Sequence, residues 1–68
     1  MNVYINGELR TLSVGPLVDC ETLLNNIGLD KNGLVAEIDG KVYTVDKFST
    51  AMIKDGSRVE LIRIVGGG

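Results

Sequence analysis

Apolar and polar residues alternate at the start of the chain, with Val3 and Ile5 on one side of an extended segment and Asn2 and Tyr4 on the other. That two-residue period predicts a half-buried strand. Asn6-Gly7 follows, a pair suited to the positive φ angles of a two-residue hairpin turn. Leu9, Leu12 and Val14 then carry apolar positions along a return strand whose alternation slips near Thr11, and Gly15-Pro16 closes the hairpin. From there the period changes. Cys20, Leu23, Leu24 and Ile27 fall at i, i+3, i+4 and i+7, one apolar stripe of a helix. Asp19 stands where a carboxylate accepts the first free amides, and Gly28 stands where the chain leaves a helix with positive φ.

The second half reads as strands again. "GLVAEI" is a third strand ended by an Asp39-Gly40 turn, and "KVYTV" is a short fourth. "DKFSTAMI" holds a single helical turn, with Asp46 as its cap and Phe48, Met52 and Ile53 pointing inward. "KDG" turns the chain into the last strand, "SRVELIRIV". There Val59, Leu61 and Val65 share one face, and Glu60, Ile62 and Ile64 the other. Strand 1 is the expected ladder partner of this last strand, running parallel to it through a right-handed crossover over the helix. The expected fold is α+β: a mixed sheet of four to five strands packed on one main helix. That helix covers one sheet face. With Val59 and Leu61 turned toward it, Ile62 and Ile64 come near solvent beside Arg58 and Arg63. These four residues read either as a partner-docking surface or as ordinary half-buried strand positions.

Composition narrows the chemistry. Sixty-eight residues form one small domain, a size that buries only ~60% of its unfolded surface. Cys20 is the sole cysteine and histidine is absent. An internal disulfide is therefore ruled out, and a zinc site has too few ligands. A hydrophobic content of 44% leaves a packed core as the source of stability. On the apolar stripe of the helix, Cys20 reads as a small buried hydrophobe rather than a working thiol. Tyr4 and Tyr43 read as packing residues, and Glu8 and Glu37 as solvated strand positions. Seven scattered basic residues against nine acidic ones, with three aromatics, argue against a nucleic-acid surface. No cationic leader and no run of ~20 apolar residues point to secretion or a membrane. The expectation is a cytoplasmic protein with a reduced cysteine.

Gly66, Gly67 and Gly68 end the sequence. One reading makes them a frayed end. The other makes the carboxylate of Gly68 the working group. Three residues without Cβ form a thin segment that enters a narrow channel, and they leave the acyl carbon unhindered. A terminal carboxylate has a pKa of ~3.5 and is a poor electrophile at neutral pH. Acyl chemistry there needs prior activation, for example as a mixed anhydride with a phosphate. The chain has no phosphate loop, no histidine base and no metal site, and no helix follows its glycines. Any reaction at Gly68 therefore belongs to a partner enzyme.

Taken in order, "INGE" in the first hairpin, "LLNNIGL" in the helix, "VAEIDG" after it and "KDGSRVELIRIVGGG" at the end resemble the ThiS family, the small sulfur carriers of thiamine biosynthesis. The resemblance covers nearly the whole chain. It implies a ubiquitin-like β-grasp domain over residues 1–65 and a flexible C-terminal glycine tail over residues 66–68. It also implies a mechanism. A ubiquitin-activating-enzyme-like adenylyltransferase uses ATP to adenylate the Gly68 carboxylate. A persulfide sulfur donor converts it to a thiocarboxylate, and thiazole synthase takes the sulfur. The chain itself then binds no cofactor and is not an enzyme. Gly67 and Gly68 match the family's diglycine, and Gly66 a common extension of it. Two departures bear on partner fit: Val45 and Phe48 stand where the family often has a polar or basic residue and a tryptophan, and "GPLVDCETLL" is longer than usual. Carriers for molybdopterin, tRNA thiolation or an amino-acid pathway share fold and tail. A β-grasp interaction module without tail chemistry is the reading from another class.

Overall fold

The computed structural model describes residues 1–64. Val65, the glycine tail, and the expected boundary between residues 65 and 66 lie outside the described residues.

The first hairpin forms as its pattern requires. β1 (Asn2–Ile5) pairs antiparallel with β2 (Glu8–Thr11), and both turn residues, Asn6 and Gly7, take positive φ. β3 (Leu17–Asp19) leads directly into α1 (Cys20–Ile27). Both helix ends are held as the residue types dictate. Asp19 accepts the Thr22 amide at 3.1 Å and the Thr22 hydroxyl at 2.6 Å, satisfying a donor that has no partner within the helix. Gly28, at φ 75°, turns its amide back to the last carbonyls, and the Leu29 amide reaches the Leu24 carbonyl.

β4 (Leu34–Ile38) turns through Asp39-Gly40 into β5 (Lys41–Tyr43). A 3₁₀ turn (Val45–Lys47) leads to β6 (Met52–Lys54) and then to β7 (Arg58–Arg63). The main sheet has the order β2-β1-β7-β4-β5, with β7 parallel to β1 and antiparallel to β4. The long-range parallel pairing is thus the expected one. β3 and β6 form a separate two-stranded sheet.

One face of the main sheet packs on α1. Val3, Ile5, Leu34, Ala36, Ile38 and Val59 meet Cys20, Leu23 and Leu24 there, and Phe48, Ala51 and Ile53 close the core from the side. Phe48 is the largest fully buried side chain. The arrangement is the ubiquitin-like β-grasp.

Four expectations are corrected. Leu9 is not core: every residue of β2 is exposed. The register sets Val3 and Ile5 opposite Arg10 and Glu8, and Leu9 opposite Tyr4, so Leu9 lies on the sheet face that the helix does not cover. Met52 is exposed, because in β6 its neighbour Ile53 takes the inward position. Asp46 does not cap the 3₁₀ turn; Thr44 occupies that position and its hydroxyl donates to the Asp46 carboxylate. Finally, Leu17–Asp19 forms a strand that no pattern announced, and the expected helical turn is a 3₁₀ turn over Val45–Lys47, with Met52 and Ile53 taken into β6 instead. Strands of three residues are too short for alternation to show.

Candidate functional site: the last strand and the open sheet face

The structure leads to the tail through β7, whose side chains alternate with a two-residue period. Val59 is buried and Leu61 half-buried against the core, so Arg58, Glu60 and Ile62 point to the uncovered face. Ile62 is 49% and Ile64 55% exposed. Neighbouring strands extend this face in register. Tyr4 and Leu9 continue the rung of Arg58, Glu37 and Val42 that of Glu60, and Val35 that of Ile62.

The four residues read from sequence as a docking surface are thus only partly together. Arg58 and Ile62 share the open face, and the ladder bond from the Ile64 amide to the Gly33 carbonyl, 2.7 Å, carries the alternation on to Ile64. Arg63 falls on the opposite side, opposite Leu34, and donates to the Asn32 carbonyl at 3.3 Å. Arg58 is also engaged, its guanidinium lying over the Tyr4 ring at 4.7 Å in a cation–π contact. Sequence reasoning placed Glu60 on this face with Ile62 and Ile64 but did not find Val35 or Val42 there. The signal was the register between β4 and β7, which a single strand's pattern does not contain.

Strand β7 is fixed at both ends. At its start, the Asp39 carboxylate accepts the Arg58 amide at 2.9 Å and the Ser57 hydroxyl at 2.8 Å. These two bonds, the amide first, hold the Asp39 carboxyl below its ordinary pKa. Further along, β1 ends and the Asn6 side-chain oxygen takes the Leu61 amide at 2.8 Å. At its end, the turn after α1 receives it: Gly33 accepts Ile64 and Asn32 accepts Arg63. The point from which the tail departs is therefore set by hydrogen bonds to three different segments.

Cys20 is fully buried on α1. Burial, and after it the nearby Asp19 and Glu21 charges, push its thiol up to about 11, which leaves almost no thiolate at neutral pH. It acts as a core residue. Among the described residues no group of three or more histidine, cysteine, aspartate or glutamate side chains is placed to hold a metal ion, and no helix is long and apolar enough to cross a membrane. Gly66, Gly67 and Gly68 lie outside the described residues.

A ThiS family model matches residues 3–68. The chain belongs to the ThiS family. Solved structures agree. The crystal structure of the thiamine biosynthesis protein ThiS from Geobacter metallireducens superposes with a TM-score of 0.84 at 28% identity, over 100% of both chains. An NMR solution structure of a thiamine biosynthesis protein from the same organism gives 0.75 at 28% identity, over 100% of this chain and 88% of that one. No curated protein matches the chain. At the departure at Phe48, the phenyl ring of this ThiS-family chain is wholly enclosed.

Proposed function

We propose that the chain is a sulfur carrier of thiamine biosynthesis whose reacting group is the carboxylate of Gly68. A ubiquitin-activating-enzyme-like adenylyltransferase binds ATP and the carrier. The Gly68 carboxylate attacks the α-phosphorus, pyrophosphate leaves, and an acyl adenylate forms. The terminal sulfur of a cysteine persulfide displaces AMP, and a thiol then cleaves the resulting acyl disulfide to leave a thiocarboxylate. Thiazole synthase takes the sulfur into the thiazole ring and the carboxylate returns. The carrier supplies no acid, base or metal to these steps; it presents an unhindered acyl end on a firmly anchored strand, and the ATP is the partner's. Gly66 and Gly67 thread the partner's active site, and Ile62 and Ile64, with Arg58, contribute to docking. All of this chemistry is cytoplasmic.

The observation that carries this reading is the family match running through residue 68, together with whole-chain superposition on a thiamine biosynthesis protein. The test is an intact-mass measurement after incubation with ATP, the adenylyltransferase and a persulfide donor. The expected result is the gain produced when sulfur replaces one oxygen, lost when Gly68 is deleted. An unchanged mass beside an active control carrier refutes the reading. Sulfur delivery to a molybdopterin, tRNA or amino-acid acceptor, but not to thiazole synthase, reassigns the pathway.

A further inference from the structure

The open sheet face carries a charge arrangement that the tail chemistry does not use. Glu37 of β4 and Glu60 of β7 stand directly opposite each other in antiparallel register. Like charges facing across a strand pair oppose sheet formation rather than support it. The pair is not relieved from within. Among the described residues the ion pair that forms is Lys31 with Glu21. Arg58, two positions from Glu60 on the same face, is drawn over the Tyr4 ring instead. Apolar side chains border the two carboxylates. Val35 and Ile62 form the next rung, and Val42, 63% exposed, stands beside Glu37 on β5.

We infer that this rung is the cation-accepting centre of the docking face: Glu37 and Glu60 receive an arginine or lysine of the adenylyltransferase, whose apolar side chains cover Val35, Val42 and Ile62. The inference rests on the reading that the chain docks on that enzyme through this face. Any surface that seals Ile62 and Val42 from water must also enclose the two carboxylates between them. Enclosing a charge without a partner is strongly unfavourable, so the covering surface must bring positive charge to this rung. An arginine suits it best, because its planar fork offers donors to two carboxylates at once. A second copy of the chain does not suit it. Two such faces stacked about a twofold axis bring four carboxylates together, between chains that each carry a net −2. A wholly apolar partner fails on the same ground, and a nucleic acid meets its own sign of charge.

The test uses the full chain and the purified adenylyltransferase with ATP and magnesium. Affinity is measured by calorimetry over a salt series for the wild type, Glu37→Gln, Glu60→Gln and the double variant, with thermal unfolding in parallel. Each single change should weaken binding by about tenfold. The double change should weaken it further and flatten the salt dependence, with unfolding midpoints at or above wild type because the repulsion is gone. Wild-type affinity and salt dependence in the double variant overturn the inference. Ile62→Asp separates the two levels. Loss of binding there, with none in the double variant, keeps the docking face and removes the cation site. Wild-type binding by a folded Ile62→Asp removes the docking face and the inference with it.

Discussion

Ser57 is the buried polar residue of this domain, 1% exposed, and its hydroxyl joins two turns that flank β7. It donates to the Asp39 carboxylate at 2.8 Å and accepts the Lys54 amide at 3.0 Å. Ser57→Ala removes both bonds. It leaves the Lys54 amide without its acceptor and takes one donor from a carboxylate. An enclosed donor left unsatisfied costs about 1–3 kcal/mol. In a domain of this size each kcal/mol moves the unfolding midpoint by about 4–8 °C, so the variant should melt roughly 5–20 °C lower at neutral pH. Circular dichroism with heat, and with urea to check that the m-value is unchanged, measures this. The deficit should also depend on pH. The folded state holds the Asp39 pKa below its ordinary value, through the Arg58 amide first and the Ser57 hydroxyl second. Such a group stabilises the fold above its unfolded pKa of ~3.9, and that contribution disappears as pH falls through the folded value. The gap between wild type and Ser57→Ala should therefore narrow once the carboxylate is protonated. A variant within about 0.5 kcal/mol of wild type at neutral pH, or a gap equal at neutral and strongly acid pH, refutes the argument.

Other substitutions test other parts of the frame. Asn6→Gly keeps the positive φ of the turn but removes the oxygen that takes the Leu61 amide; about 1 kcal/mol of stability should be lost, with faster amide hydrogen exchange at Leu61. Phe48→Ala should cost about 3–5 kcal/mol, enough to threaten folding of so small a domain, while Met52→Gln should stay within about 0.5 kcal/mol of wild type; urea titrations of both distinguish the observed strand from a helical turn with Met52 inside. Cys20, buried and with its thiol pushed up to about 11, should ignore an aromatic disulfide reagent at mildly alkaline pH and react at once in concentrated urea. Rapid labelling of the folded chain would show that this segment opens far more easily than its packing implies.

The elements legible in the sequence are those whose signals are local. The helix from Cys20 to Ile27 was marked three times over, by its apolar stripe, by Asp19 and by Gly28, and each mark has an independent physical cause. The parallel pairing of β1 with β7 followed from chain order and crossover handedness, both global rules that hold for any sheet. The misread positions share one feature: their environment is decided by another segment. Leu9 looks like an inward position in its own strand, yet it faces solvent because one helix cannot cover both sides of a five-stranded sheet. Met52 and Phe48 are spaced like neighbours on a helix, but the antiparallel pairing of Val18 with Ile53 pulls the chain into a strand that turns Met52 outward while Phe48 stays inside. At the candidate site, Ile62 and Ile64 were found because alternation within one strand suffices. The facing of Glu37 and Glu60 depends on the β4–β7 register, which neither strand contains alone.

The same register ties the proposed docking face to the end of the sequence by distance. The ladder on the β1 side of β7 ends where Asn6 takes the Leu61 amide, whereas on the β4 side it continues to Arg63, and the Gly33 carbonyl holds Ile64 one residue further. Position 64 is thus a fixed point at the end of the sheet's central strand. Four residues separate it from the end of the sequence, and a fully extended chain of four residues spans at most about 14 Å. A partner that activates the Gly68 carboxylate must therefore bring its nucleotide within that reach of Ile64. To do so it must cover the neighbouring surface, which is Ile62 with Val35 and then the two carboxylates. Placement of the acyl carbon and recognition of the face are consequently one geometric requirement, and deletion of Val65, which shortens that reach by about 3.5 Å, should impair adenylation even though it removes none of the hydrogen bonds that hold β7 and Ile64.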